Sequence, residues 1–272
     1  MFKARAYRHP SEIPILILTF LLSIAVVVAT AFMTQCLSFL LVLLILGVAV
    51  YTTYVMQTQL IKNAALVSPE GSPELDKVVR LCALRLQPGS LNVYVASEEA
   101  MNAYTFGFSN PKYVVLYEPL VRAMNPQELA FVLGHEMGHI SLGHTWLYPL
   151  VGGLAGSRAP SLGMRYILYL IFLCWTRACE FSCDRAGLLA CGSLDDAVSA
   201  LVRLASPEIQ TRADFEQALD KIDTQGGAFL NKLMELLRSH PNMMKRVNAL
   251  KAYAVSPEYA SLQAKVNSNL QA

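Results

Sequence analysis

Residues 125–139 read Asn125-Pro126-Gln127-Glu128-Leu129-Ala130-Phe131-Val132-Leu133-Gly134-His135-Glu136-Met137-Gly138-His139, and the rest of the chain is best understood outward from them. Asparagine, then proline, then glutamate three residues on is how a helix starts: an N-cap, a proline at the first helical position and a capping box. Leu129, Phe131, Val132 and Leu133 supply a core face. His135 and His139 are four apart, so on this helix both imidazoles turn to one side and meet a single cation. Glu136 is rotated from His135 by about 100°. It is close enough to take a proton from a water at the cation without ligating. Two neutral nitrogen donors, an open position and a carboxylate base make a hydrolytic site for one Zn2+ per chain.

Such a site wants a third protein ligand. A histidine six residues after the second, with a glycine between to turn the chain, is one solution. Here Thr145 holds that position and Leu142 the turn, with His144 off by one, so the pattern fails. A glutamate from a later helix is the other solution. Between Ile140 and Cys179 there is no acidic residue, which makes Glu180 the first carboxylate downstream. Glu180 and Asp184 are again four apart, so one face offers Glu180 to the metal and Asp184 to the second nitrogen of a ligand histidine.

HEMGH, then Glu180-Phe181-Ser182-Cys183-Asp184 after an apolar interval, then Ser239-His240-Pro241 with Arg246 six residues past the histidine, resembles the HtpX and CAAX-prenyl-protease family of integral-membrane zinc endopeptidases. Asn102-Ala103-Tyr104-Thr105-Phe106-Gly107 also resembles that family's asparagine-alanine strand, and the resemblance spans roughly residues 70–250. It implies His135, His139 and Glu180 as metal ligands and Glu136 as general base. It further implies Asp184 as the outer carboxylate, His240 as a transition-state or regulatory histidine beside the metal, and Arg246 as a substrate contact. Members of the HtpX kind carry two full membrane spans between the histidine helix and the glutamate helix. In this chain Trp146–Cys174 is broken by Gly152-Gly153, Gly156-Ser157-Arg158 and Arg165. Neither Trp146–Ala155 nor Tyr166–Trp175 reaches the usual 17 residues of a span. The expectation is two helices lying against or dipping into the bilayer, with full spans as the alternative.

The 272 residues are 54% hydrophobic and 15% charged, too apolar for an ordinary soluble domain. No charge occurs from Ile13 to Ile61, and Ile13–Met33 and Leu37–Met56 are each long enough to cross a bilayer. A helical hairpin follows. A cleaved leader is disfavoured, because its apolar core would be long and a second span follows at once. Basic residues lie before the first span and after the second (Lys62, Lys77, Arg80), with none in the loop. The positive-inside bias then leaves residues 57 onward in the cytoplasm, in a bacterial inner or plasma membrane. The six cysteines form no C-x-x-C and read as buried small hydrophobes, with Cys179 and Cys183 on a different face from Glu180 and Asp184. A net charge of +2 with no basic stripe argues against nucleic acid.

The expected class is α+β and mostly helical. An N-terminal transmembrane hairpin (residues 1–61) precedes a gluzincin-like zinc metallopeptidase domain (62–272) with a small sheet and an apolar insertion at 146–175. Glu74–Leu86 has helical periodicity, Leu91–Val95 and Tyr113–Leu116 read as strands, and Asn102–Phe108 is a third candidate. Asn102, Ala103 and Tyr104 form the expected edge to which an extended peptide substrate adds itself as a strand. The expected activity is endopeptidase action on protein substrates, of the misfolded or membrane kind. Two rival readings are a non-catalytic metal-binding membrane scaffold, against which Glu136 speaks, and a prenyl-peptide protease.

Overall fold

The computed structural model describes residues 4–34, 37–107, 109–148, 163–205 and 243–269. A 3-10 turn, Ala4–Tyr7, leads into α1 (Glu12–Met33) and α2 (Leu37–Lys62). Among the described residues these two helices are long and apolar enough to cross a membrane. α2 runs past the expected end at Met56, because Gln57, Thr58 and Gln59 are polar without breaking a helix.

A four-stranded sheet and helix α3 (Pro73–Leu86) come next. The strands are β1 (Ala64–Leu66), β2 (Leu91–Ala96), β3 (Ala103–Phe106) and β4 (Lys112–Tyr117), in the order β1-β2-β4-β3. β2 and β4 run parallel; the outer strands pair antiparallel. β3 is thus an edge strand, with Ala103 opposite Leu116 and Tyr104 opposite Val115. β1 lies where no strand was expected, since three residues are too few to display a period of two. The remaining elements are α4 (Glu118–Ala123), α5 (Pro126–Ser141), α6 (Gly163–Cys191), α7 (Leu194–Ala205), α8 (Met243–Ala254) and α9 (Pro257–Asn269).

The centre of the molecule is the crossing of α5 and α6, and glycine makes it close. A Cβ on Gly134 would stand 2.3 Å from Cβ of Ala190, and one on Gly138 would stand 2.9 Å from Cβ of Ala186. From the other side, a Cβ on Gly187 would meet the backbone oxygen of Phe131 at 2.8 Å. Side chains as small as alanine would therefore part the helices. Every residue of α5 from Glu128 to Ile140 is buried, which makes it the core helix, with Leu133 and Met137 fully enclosed.

Two features differ from the sequence expectation. Tyr166–Trp175 is not a separate short helix; it belongs to the first half of α6, continuous with Glu180 and Asp184 over 29 residues. No glycine or proline lies between Met164 and Ala186, and Arg177 alone does not stop a helix. The other half of the insertion, Trp146–Ala155, is helical at 144–148 and otherwise lies outside the described residues. Secondly, the residues at and just ahead of the start of α1 join the core of the domain. Tyr7 is fully buried in the same apolar core as Leu133, Met137 and Cys183, and Glu12 is fully buried as well.

Candidate metal centre

The start of α5 is fixed as the sequence demands. Asn125 Oδ1 accepts from the backbone N–H of Gln127 and Glu128, both at 2.9 Å, and Glu128 Oε2 accepts from Asn125 N–H at 2.9 Å. The other oxygen of Glu128 accepts from Ser199 and from Arg203 Nε, tying α7 to this end. With the helix set, His135 and His139 project one turn apart toward α6. Their Nε2 atoms are 3.2 Å from each other. Glu180 brings Oε2 to 3.7 Å from His135 Nε2 and Oε1 to 3.7 Å from His139 Nε2. Donors in tetrahedral array at zinc bond lengths stand about 3.3 Å apart. The donor set fits a zinc ion.

Asp184, one turn after Glu180, faces the far side of His135, with Oδ1 3.1 Å from Nδ1. An ionised carboxylate only accepts, so Nδ1 carries the proton and Nε2 keeps its lone pair for the cation. Arg246 of α8 grips this carboxylate twice, Nε to Oδ2 at 2.8 Å and Nη2 to Oδ1 at 2.6 Å, while Nη1 lies 3.0 Å from Glu180 Oε2. Burial works against the charge on Asp184, but Arg246 and His135 outweigh it and hold its pKa below the usual range. Burial likewise opposes protonation of His135, yet Asp184 and Glu180 leave its pKa raised. At His139 burial prevails, reinforced by the neighbouring rings of His135 and His144, and its pKa falls well below the ordinary value.

Glu136, next to His135 on α5, is buried at 8% exposure. Its charge bears on two tyrosines. Burial raises the pKa of Tyr104 on edge strand β3, a hydrogen bond with Gln57 opposes this, and Glu136 adds to the rise. Tyr148, whose ring centre is 5.0 Å from that of His139, is raised chiefly by burial, with Glu136 among the charges that contribute.

The sequence-predicted residues separate into three groups. His135, His139, Glu180 and Asp184 come together around one point, and Glu136 is buried beside His135 on the same helix. Asn102, Ala103 and Tyr104 lie on or beside the edge strand, Asn102 exposed and accepting from Tyr117 N–H through its carbonyl. Arg246, expected at the substrate, is instead committed to Asp184 and Glu180, because two buried carboxylates need a cation beside them. His240 lies outside the described residues.

Sequence reasoning missed the three seam glycines, Cys183, and the pair His144–Glu12. Cys183 was placed on another face, but it is three residues after Glu180 and so close to the same side. Its sulfur and the ring nitrogens of His135 and His139 lie within 4.8 Å of one another. Glu180 remains the better third donor. Its carboxylate sets one oxygen 3.7 Å from each histidine Nε2, whereas Cys183 Sγ sits against His144, 3.6 Å from Nδ1.

The family model for peptidase family M48 matches residues 69–254, from just before α3 to the end of α8. The chain belongs to peptidase family M48. It is accordingly a metallopeptidase. It is 29% identical over 230 residues to a plastoglobule-localized metallopeptidase 48 of Arabidopsis thaliana, a match covering 79% of this chain and 67% of that protein. With a protease HtpX homolog of Methanosarcina acetivorans it shares 25% identity over 224 residues, covering 69% of this chain and 75% of the relative. A CAAX prenyl protease 1 homolog of Dictyostelium discoideum is 47% identical over 45 residues, only 16% of this chain and 11% of that protein. The M48 assignment thus rests on the domain that carries the histidine and glutamate helices.

Proposed function

We propose that this M48 peptidase is a membrane-anchored zinc endopeptidase acting on protein substrates of the misfolded or membrane class. The observation that carries the reading is the convergence of His135 Nε2, His139 Nε2 and the Glu180 carboxylate beside a buried Glu136. Zinc, when bound, polarises a peptide carbonyl and makes a neighbouring water more acidic. Glu136 takes the proton from the attacking water and passes it to the departing amine. The outer edge of β3, unpaired among the described residues, pairs with an extended peptide and draws its scissile carbonyl toward the ligand helix.

The membrane part of the proposal is supported by the surfaces of α1 and α2. Leu18 and Leu21 are 66% and 61% exposed, and Leu40 and Leu44 are 63% and 64% exposed. A continuous apolar face of this kind marks a surface that lipid or a partner covers. The basic flanks support a cytoplasmic side for the domain after Lys62.

Two experiments test the proposal. Chelation should abolish cleavage of an unfolded protein by the detergent-solubilised chain, and stoichiometric zinc should restore it; cleavage that survives complete metal removal refutes a zinc mechanism. A reporter fused after Lys62 should behave as cytoplasmic, and an extracytoplasmic signal would reverse the proposed orientation.

A further inference from the structure

His139 has a partner on its far side, as His135 does, but it comes from a different place. Its Nδ1 lies 3.0 Å from Nδ1 of His144. Nε2 of His144 lies 3.1 Å from Oε1 of Glu12, the residue that opens α1 and stands 132 positions away. His144 is 2% exposed and Glu12 fully buried. The carboxylate is not adrift there. Arg8 pairs with Oε1, the Ser182 hydroxyl donates to Oε2, and Ser182 in turn accepts from His9 N–H at 2.8 Å. Arg8 also donates to the carbonyl of Leu142 at 3.0 Å, in the turn between α5 and His144. The segment from Tyr7 to Glu12 is thereby strapped across the back of the metal centre.

The proton positions follow from the ends of this chain of contacts. An ionised carboxylate has no proton to give, so His144 donates from Nε2 to Glu12. His144 Nδ1 is then an acceptor, and the proton between the two Nδ1 atoms belongs to His139. That leaves the lone pair of His139 on Nε2, the atom 3.2 Å from His135 Nε2. We infer that Glu12, acting through His144, is a positioning residue that fixes the tautomer and ring orientation of His139, so that the start of the first apolar helix is part of the metal centre. The inference rests on the zinc reading above. Glu12, His144 and Cys179 also lie within 4.8 Å of one another. However, the Glu12 carboxylate already accepts from Arg8, Ser182 and His144, which makes the trio a hydrogen-bonded support and not a second ion site.

The test is zinc affinity of the full-length protein in detergent, measured by competition with a chromogenic chelator. The parent chain should bind one zinc. Glu12→Ala and His144→Phe should each weaken zinc by about 10- to 100-fold, the range for loss of a ligand's outer partner. The double variant should lose no more than either single one. Glu12→Gln, whose amide oxygen still accepts from His144, should recover most of the affinity. Ser182→Ala, which removes the donor to Glu12 Oε2 but leaves the contact of Oε1 with His144, should stay within about twofold of the parent on the same argument. His144→Phe keeps a ring in place and leaves Glu12 paired with Arg8 and Ser182, so it decides the matter if Glu12→Ala does not fold. A parent that binds one zinc while His144→Phe matches it overturns this inference alone, as do losses that multiply in the double variant or a second zinc bound per chain. A parent that binds no zinc overturns the proposed function and this inference together.

Discussion

His135 and His139 stand one turn apart on the same helix, yet the groups that hold them come from different parts of the chain. Behind His135 is Asp184, on the helix that also carries Glu180, with Arg246 of α8 closing the far side. Behind His139 is His144, and behind that Glu12, the first residue of the first apolar helix. The first support is a property of two packed helices. The second requires the N-terminal segment to dock. Metal binding on one side therefore depends on the local geometry of the α5–α6 crossing, and on the other side on how the whole domain is assembled.

The largest expected effect lies at the point both supports share. Glu180→Ala leaves two histidine donors and should strip zinc at neutral pH, whereas Asp184→Asn should only weaken it by about 10- to 100-fold, with activity recoverable by added metal. Zinc titration of the two variants checks this. If the asparagine variant loses metal outright while the alanine variant keeps it, the roles of the two carboxylates are reversed.

A smaller effect should follow from the seam that aligns the helices. Gly134→Ala puts a methyl where Ala190 leaves no room, so α5 and α6 must separate. Overpacking of this kind costs about 1–3 kcal/mol. The metal-free protein should melt at a lower temperature and zinc should bind less tightly, because Glu180 moves away from both rings together. An unchanged melting temperature would mean that the crossing is not fixed by close contact at this point.

The difference between the two supports also explains what was legible in the sequence. His135, Glu136, His139, Glu180 and Asp184 were readable because each pair is spaced by a helical turn, and Asn125 with Glu128 marked where the helix begins. The sheet was readable from β-rich runs, apart from β1, which is too short to show its period. Glu12 was not readable by such means, since no periodicity links it to a residue 132 positions on. One signal was available all the same. Glu12 is the sole acidic residue before Glu70 and opens a long apolar helix, where an unpaired carboxylate would be costly. His144 was set aside for missing one ligand pattern by a single position; it stands behind the ligand instead. The joining of Tyr166–Trp175 to the glutamate helix is hidden from a length rule for membrane spans, which says nothing about a helix that continues into the protein core.

All of this depends on Glu136 being the base at a zinc ion held by its neighbours and not one of the ligands. Glu136→Gln keeps the size of the side chain and removes its ability to take a proton. Zinc content and peptide-bond cleavage should be measured on the same preparation of this variant. One zinc per chain with cleavage abolished is the expected result. Normal cleavage, or loss of the stoichiometric zinc, would contradict the assignment.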